Sequence, residues 1–199
     1  MRDLVRRSEP LPGVMAFDFA GGRIAAMNDL IIREMRTAEH TVDSIHGDNI
    51  LNRRAVHCLF DRDPLPPGLG ALSERLYAAL QVYLARRHPH LAGRPFRHRS
   101  WCNHYKPNEG VPWHDHAETP VVAVYSVSGS GGDLIIQDKD DPARCHRVET
   151  PPGRLIFMEG WMRHCSTPNF GPRDTRVSLP VNFRFDRPPD PAMGRPAAA

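Results

Sequence analysis

The sequence predicts a mostly β domain with supporting helices, of the sandwich or jelly-roll kind, and three observations predict it. Beyond residue 100 the apolar residues gather in short β-branched runs, such as VVAVYSV at 121–127. Gly- and Pro-rich punctuation (SGSGG, DKDDPAR, PPG) separates those runs at the spacing of an all-β unit. Before residue 100 the period changes, and two long segments carry apolar residues at helical spacing.

In the first helical segment, GGRIAAMNDLIIREMRTAE, the stripe is Ile24, Met27, Leu30, Ile31 and Met35. Asn28 and Asp29 interrupt it and allow a helix start as late as that pair. Residues 69–86 repeat the pattern more clearly through Leu69, Leu72, Leu76, Tyr77, Leu80, Tyr83 and Leu84, with LPPG before them as a start signal. Helices of this length commonly brace one face of a sheet. The strands expected after them are 121–127, DLIIQ at 133–137, RLIFM at 154–158 and RVSLPVNFRF at 176–185. The whole reads as one domain over residues 1–186. Residues 1–100 form a helical and loop support, 101–186 the β core, and 187–199 (RPPDPAMGRPAAA) a frayed tail. Residues 41–68, with Asn49, Asn52, Arg53 and Arg54, read as a loop-rich segment placed to cap a site.

A chain of 199 residues suits one domain with a proper core. No apolar run reaches the roughly 20 residues of a membrane span, and MRDLVRRSEPLPG lacks the apolar stretch of a secretion signal, so a cytoplasmic location is expected. Cys58, Cys102, Cys145 and Cys165 are scattered without a CxxC pair and read as structural or incidental. A net charge of +3, spread along the chain, argues against a nucleic-acid partner, although RRHPHLAGRPFRHR at 86–99 is locally basic and could face a phosphate. No GxSxG elbow and no phosphate-binding GxxxxGK[ST] loop occurs.

The chemistry-bearing segment is WCNHYKPNEGVPWHDHAE, residues 101–118. In extended backbone, alternate side chains share a face, so His114, His116 and Glu118 point together and Asp115 points away. GWMRHCSTPN supplies His164 after the strand at 154–158. Two ligands close in sequence and one distant are how the mouth of a β-barrel builds a facial metal site. With eleven histidines in the chain, ordinary surface or core histidines are the competing reading.

The downstream pattern adds weight: PPGRLIF (151–157), His164, then Arg176-x-Ser178 opening the next strand. Together with NHY (103–105), WHDH (113–116) and SGSGGD (128–133), this resembles the 2-oxoglutarate/iron(II) dioxygenases, which share a double-stranded β-helix (jelly-roll) fold. It is most similar to small bacterial and phage members whose metal motif reads His-x-His. The resemblance implies Fe(II), 2-oxoglutarate and O₂ as cofactors. It gives Arg176 and Ser178 the grip on the distal carboxylate of 2-oxoglutarate, with Asn103 and Tyr105 also contacting the cosubstrate. A guanidinium fork suits a carboxylate.

The usual facial triad has a carboxylate where His116 stands, and three readings stay open. The ligands are His114, His116 and His164; or the pair slips to His116 and Glu118 with His164; or His114 and His164 act alone. An imidazole at 116 fills the position that a halide would need, so hydroxylation is expected ahead of halogenation, with desaturation or cyclisation dependent on substrate placement. Trp113, Trp161 and Met162 flank the ligands and are expected pocket or packing residues. The expected substrate is a small molecule. The alternatives are a cupin-like three-histidine oxygenase or isomerase working without 2-oxoglutarate, and a β domain that only sequesters a cation.

Overall fold

The structure, a computed structural model, describes residues 4–37, 41–43, 51–54, 59–129, 131–169 and 176–186. Asn49, Cys58, Ser130 and the expected tail at 187–199 lie outside the described residues. Two helices, α1 (Gly22–Thr37) and α2 (Pro67–Arg87), accompany twelve strands among them. These are β1 (Leu4–Leu11), β2 (Val14–Ala20), β3 (Thr41–Asp43), β4 (Leu51–Arg54), β5 (Phe96–Ser100), β6 (Cys102–Tyr105), β7 (Val121–Ser128), β8 (Leu134–Gln137), β9 (Cys145–Val148), β10 (Arg154–Glu159), β11 (His164–Ser166) and β12 (Arg176–Phe185).

Nine of these strands form a large antiparallel sheet along the path β1-β2-β10-β7-β12-β6-β4-β3, with β5 also on β12. The other three form a small sheet in the order β11-β8-β9. The expected jelly roll is therefore present as two facing sheets, and the helices lie against the outer face of the large one.

The pleat assigns each residue of the large sheet to one of two compartments. On β7, Val121, Ala123, Tyr125 and Val127 join the core under the helices, whereas Val122 faces the small sheet. On β10, Leu155 and Phe157 face the helices, and Ile156 and Met158 the small sheet. On β12, Val177, Leu179, Val181 and Phe183 belong to the helix side, which leaves Arg176, Ser178, Pro180 and Asn182 on the face toward the small sheet. That face is where the polar residues of the sheet collect.

Two sequence expectations change. Helix α1 begins at Gly22, a full turn and more before Asn28. Asn28 is not a cap but a buried partner, accepting the Tyr125 hydroxyl hydrogen at 2.7 Å. A polar residue on the buried stripe is tolerated because that bond satisfies it. Leu30, expected on the stripe, is exposed. The first hundred residues also hold strands where helices and loops were expected. The sequence of β1, LVRRSEPL, shows no apolar alternation because β1 is an edge strand, exposed from Arg6 to Pro10 and held there by its ladder to β2.

Pro180 sits inside β12, a place where proline normally breaks a ladder. Here the break already exists. Strand β12 pairs with β5 up to Ser100 and with β6 from Asn103, and between them Trp101 donates its N–H to the Pro180 carbonyl at 3.3 Å. A residue's N–H and C=O share one edge of a strand, so the missing donor of Pro180 falls in this gap.

The helices are joined by a carboxylate. Glu34 of α1 accepts the N–H groups of Gly68 (2.7 Å) and Leu69 (3.1 Å) in the first turn of α2, which has no side-chain cap of its own. A Cβ at Gly68 would stand 2.9 Å from the Ile31 nitrogen, so glycine there permits the close approach. Two orphan donors and the positive end of a helix are satisfied together. Glu34→Ala is expected to cost about 1–2 kcal/mol, and Glu34→Gln less, in urea unfolding followed by circular dichroism.

Candidate metal centre

The site is built from backbone pairing between a loop and a strand. His114 and His164 form an antiparallel bridge, N–H of His114 to O of His164 at 2.9 Å and the reverse at 2.8 Å. Ser166 donates to the Val111 carbonyl at 3.0 Å, so residues 111–114 run as an extra rung beside β11. Beyond it, His116 donates to Gly160 at 2.7 Å and Gly160 to Pro120 at 3.1 Å. A side chain at Gly160 would overlap the Thr119 carbonyl, so this crossing needs glycine.

These bonds place three imidazoles together. Ring centroids are 4.3 Å apart for His114 and His164, 4.9 Å for His114 and His116, and 5.4 Å for His116 and His164. One nitrogen from each lies within 4.8 Å of the others, the spread of a set that can close on one ion. Glu118 is not in this group. The chain turns at once after His116, with Thr119 donating to the His116 carbonyl at 2.7 Å, and the alternation that would have aligned Glu118 ends there. Its carboxylate is exposed and 3.4 Å from Arg184. The Asp115 carboxylate accepts the Ala117 N–H at 3.2 Å.

Hydrogen bonding sets the lone pairs. Nδ1 of His114 lies 2.8 Å from the Pro112 carbonyl, and Nδ1 of His164 lies 2.8 Å from that of Met162. A carbonyl only accepts, so each Nδ1 carries the hydrogen and each neutral ring keeps its lone pair on Nε2. His164 is 4% exposed. Burial, then the neighbouring His114, push its pKa down to about 3, so the ring is neutral in the ordinary physiological range.

Beside the imidazoles is a cavity of about 280 Å³. Arg176, Ser178, Asn103 and Tyr105 line it at one end, and Val122, Val124, Leu134 and Pro180 supply apolar wall. Arg176 is 2% exposed, and its Nε and Nη1 have no hydrogen-bond partner among the described residues. Its guanidinium lies over the Tyr105 ring, 4.6 Å from the centroid. Gly129 and Gly132 leave it room: a Cβ at Gly129 would sit 2.7 Å from Arg176 Cα, and one at Gly132 would overlap the guanidinium. Both glycines have positive φ, so the SGSGGD turn is shaped around the arginine. Tyr105 oxygen accepts the Asn103 amide at 2.8 Å and the Ser178 hydroxyl at 3.4 Å, and burial raises its pKa, so the phenol stays protonated.

Trp113 and Trp161 stand outside this cavity, 41% and 48% exposed, beneath Arg163 and Lys139 respectively. Alternation explains Trp113: when His114 points inward, its neighbour points out. The tryptophan that does line the cavity is Trp101, which the sequence reading passed over. The signal that could have found it is its place one residue before a strand whose alternate members, Asn103 and Tyr105, face the same space. Cys165 also lines the cavity, and Cys102, Cys145 and Cys165 are free thiols.

No family model and no curated protein sequence matches the chain. Solved structures do. A prolyl-4-hydroxylase from Pseudomonas putida is 17% identical, with a TM-score of 0.62 over 88% of this chain and 94% of that one. A prolyl hydroxylase from Trichoplax adhaerens, solved with a peptide fragment of hypoxia inducible factor, gives 13% and 0.63 over 87% and 84%. A non-haem α-ketoglutarate-dependent carbocyclase of nogalamycin biosynthesis gives 13% and 0.60 over 86% and 79%. At such low identity the likeness is one of architecture: this chain has the double-stranded β-helix fold that those iron oxygenases share.

Proposed function

We propose that this protein is an Fe(II)- and 2-oxoglutarate-dependent oxygenase that hydroxylates an unactivated C–H bond of a small-molecule substrate. The observation that carries the reading is a buried guanidinium, Arg176, whose Nε and Nη1 have no acceptor among the described residues, in the same cavity as three convergent imidazoles. Both ends of 2-oxoglutarate are provided for. An uncompensated buried cation costs several kcal/mol, roughly, and a carboxylate bound beside it removes that cost.

His114, His116 and His164 would hold the iron. Iron bound there would supply O₂ activation and C–H oxidation, with 2-oxoglutarate leaving as succinate and CO₂. Arg176 grips the distal carboxylate, and Tyr105, whose oxygen already accepts two hydrogen bonds, has its own hydrogen left to donate to the same group. Three neutral ligands leave the metal charge unreduced, and the dianionic cosubstrate offsets it. The apolar wall of Val122, Val124, Leu134 and Pro180 limits water around the reacting centre. No helix among the described residues is long and apolar enough to cross a membrane.

The similar structures include a prolyl hydroxylase bound to a peptide fragment and a carbocyclase of nogalamycin biosynthesis, so peptide and small-molecule substrates are both within reach of the fold. The modest cavity favours a small molecule or a single side chain here. A three-histidine enzyme without 2-oxoglutarate would leave Nε and Nη1 of Arg176 without an acceptor among the described residues.

Under anaerobic conditions, Fe(II) plus 2-oxoglutarate is expected to give the wild type a weak visible charge-transfer band. Arg176→Ala should weaken 2-oxoglutarate at least about thirtyfold, the lower end of the cost of truncating one partner of a buried charge pair. Gly132→Ala should do the same by displacing the guanidinium, while Fe(II) affinity stays at the wild-type level. Turnover of 2-oxoglutarate to succinate should vanish in His164→Ala. Full 2-oxoglutarate turnover in Arg176→Ala would remove the arginine from cosubstrate binding, whereas no band and no succinate from the wild type would move the assignment to the 2-oxoglutarate-independent class.

A further inference from the structure

The three imidazoles are not held alike. His114 and His164 each hydrogen-bond a backbone carbonyl two residues earlier in their own segment. Those contacts depend on local chain path and on no side chain. For His116 the Nδ1 contact is instead a side chain from far away in sequence, the amide of Asn182 on β12, at 3.2 Å.

The chemistry of that contact depends on which way the amide faces. With the nitrogen toward His116, the amide donates, Nδ1 must accept, and the ring hydrogen moves to Nε2. The Asn182 oxygen is then buried with no partner among the described residues. With the amide turned over, its oxygen accepts a hydrogen from Nδ1, and the lone pair moves to Nε2. The two orientations differ only in the identity of nearly equal atoms, so the hydrogen-bond network decides between them. The second gives the Asn182 oxygen a donor and gives His116 the tautomer that the other two rings already have, with the amide nitrogen taking the buried position.

We infer that Asn182 is the positioning residue that makes His116 a metal ligand, its side-chain oxygen holding the Nδ1 hydrogen so that Nε2 faces the ion. The inference rests on the reading of the three histidines as a metal site. Strand β12 carries Arg176, Ser178, Pro180 and Asn182 on one face. That single face would therefore hold the anion grip at one end and the orienter of the third imidazole at the other. Asn182 is locked in register by pairing with Val122 on β7 and Arg99 on β5, so its amide reaches His116 from a fixed base. Ligand histidines generally need such a partner, and its loss typically weakens metal binding about 10- to 100-fold.

The test is Co(II) titration, read by affinity and by the visible ligand-field spectrum, of wild type, Asn182→Leu, Asn182→Asp and His164→Ala. Leucine keeps the size but offers no acceptor, whereas aspartate restores one. Asn182→Leu is expected to bind about 10- to 100-fold more weakly with an altered spectrum, and Asn182→Asp to return both toward wild type. Wild-type affinity and spectrum in Asn182→Leu would overturn the inference, as would equal losses in the leucine and aspartate variants, provided His164→Ala loses the metal. Wild-type binding in His164→Ala would instead overturn the metal-site reading on which the inference stands. Nitrogen-15 NMR of the Zn(II)-loaded wild type needs no variant: a hydrogen on His116 Nδ1, shielded from exchange, is expected, and a hydrogen on Nε2 would refute the role of Asn182.

Discussion

Two backbone hydrogen bonds between His114 and His164 hold the site together, because they convert two segments fifty residues apart into one antiparallel rung. Neither bond involves an imidazole. The rings meet because facing residues of a hydrogen-bonded antiparallel pair have their Cα atoms about 5.5 Å apart and their side chains on the same face. The neighbouring crossing at Gly160 holds His116 to the same frame through its own N–H. The three imidazoles are thus brought together by main chain, and contacts at each Nδ1 orient the rings.

The electrostatics of the cavity are unbalanced by construction. Nε and Nη1 of a guanidinium buried to 2% exposure lack an acceptor among the described residues, and no carboxylate belongs to the three-histidine group. Folding therefore carries a desolvation cost that a bound anion would offset, and a ligand that binds only the folded state stabilises it by mass action. Asp133 lies close enough to favour the charged guanidinium but is itself committed, accepting from Arg147 and from the Thr150 backbone. It holds the Gly-rich turn in shape and leaves the arginine to the cavity.

Much of this was legible in the sequence, for reasons that differ by element. The strands at 121–127, 154–158 and 176–185 were readable because the large sheet is covered on both faces, which forces unbroken apolar runs. Strand β9, CHRV, was not readable: most of it is exposed or half-buried, and its pairing with β8 leaves little trace in composition. Edge strand β1 was lost for the same reason. At the site, the histidines stood out by residue type, but the choice between His116 and Glu118 needed the turn at Thr119, which is a matter of backbone path. Asn182 was invisible because its importance comes from register alone. In sequence it is one polar residue in a strand, and only the ladder places it opposite His116.

The gap between β5 and β6 has a consequence for substrate range. Trp101 occupies the point where the two strands part, opposite the proline of β12, and its side chain lines the cavity. Its main-chain tie is the single N–H to Pro180, and no regular ladder pairing depends on its side chain. A wall residue of this kind can be exchanged without disturbing the rungs that position the ligands. The fold thus keeps the three histidines and this wall residue on separate parts of the backbone, and the cavity can be recut at residue 101 while the imidazoles stay in place.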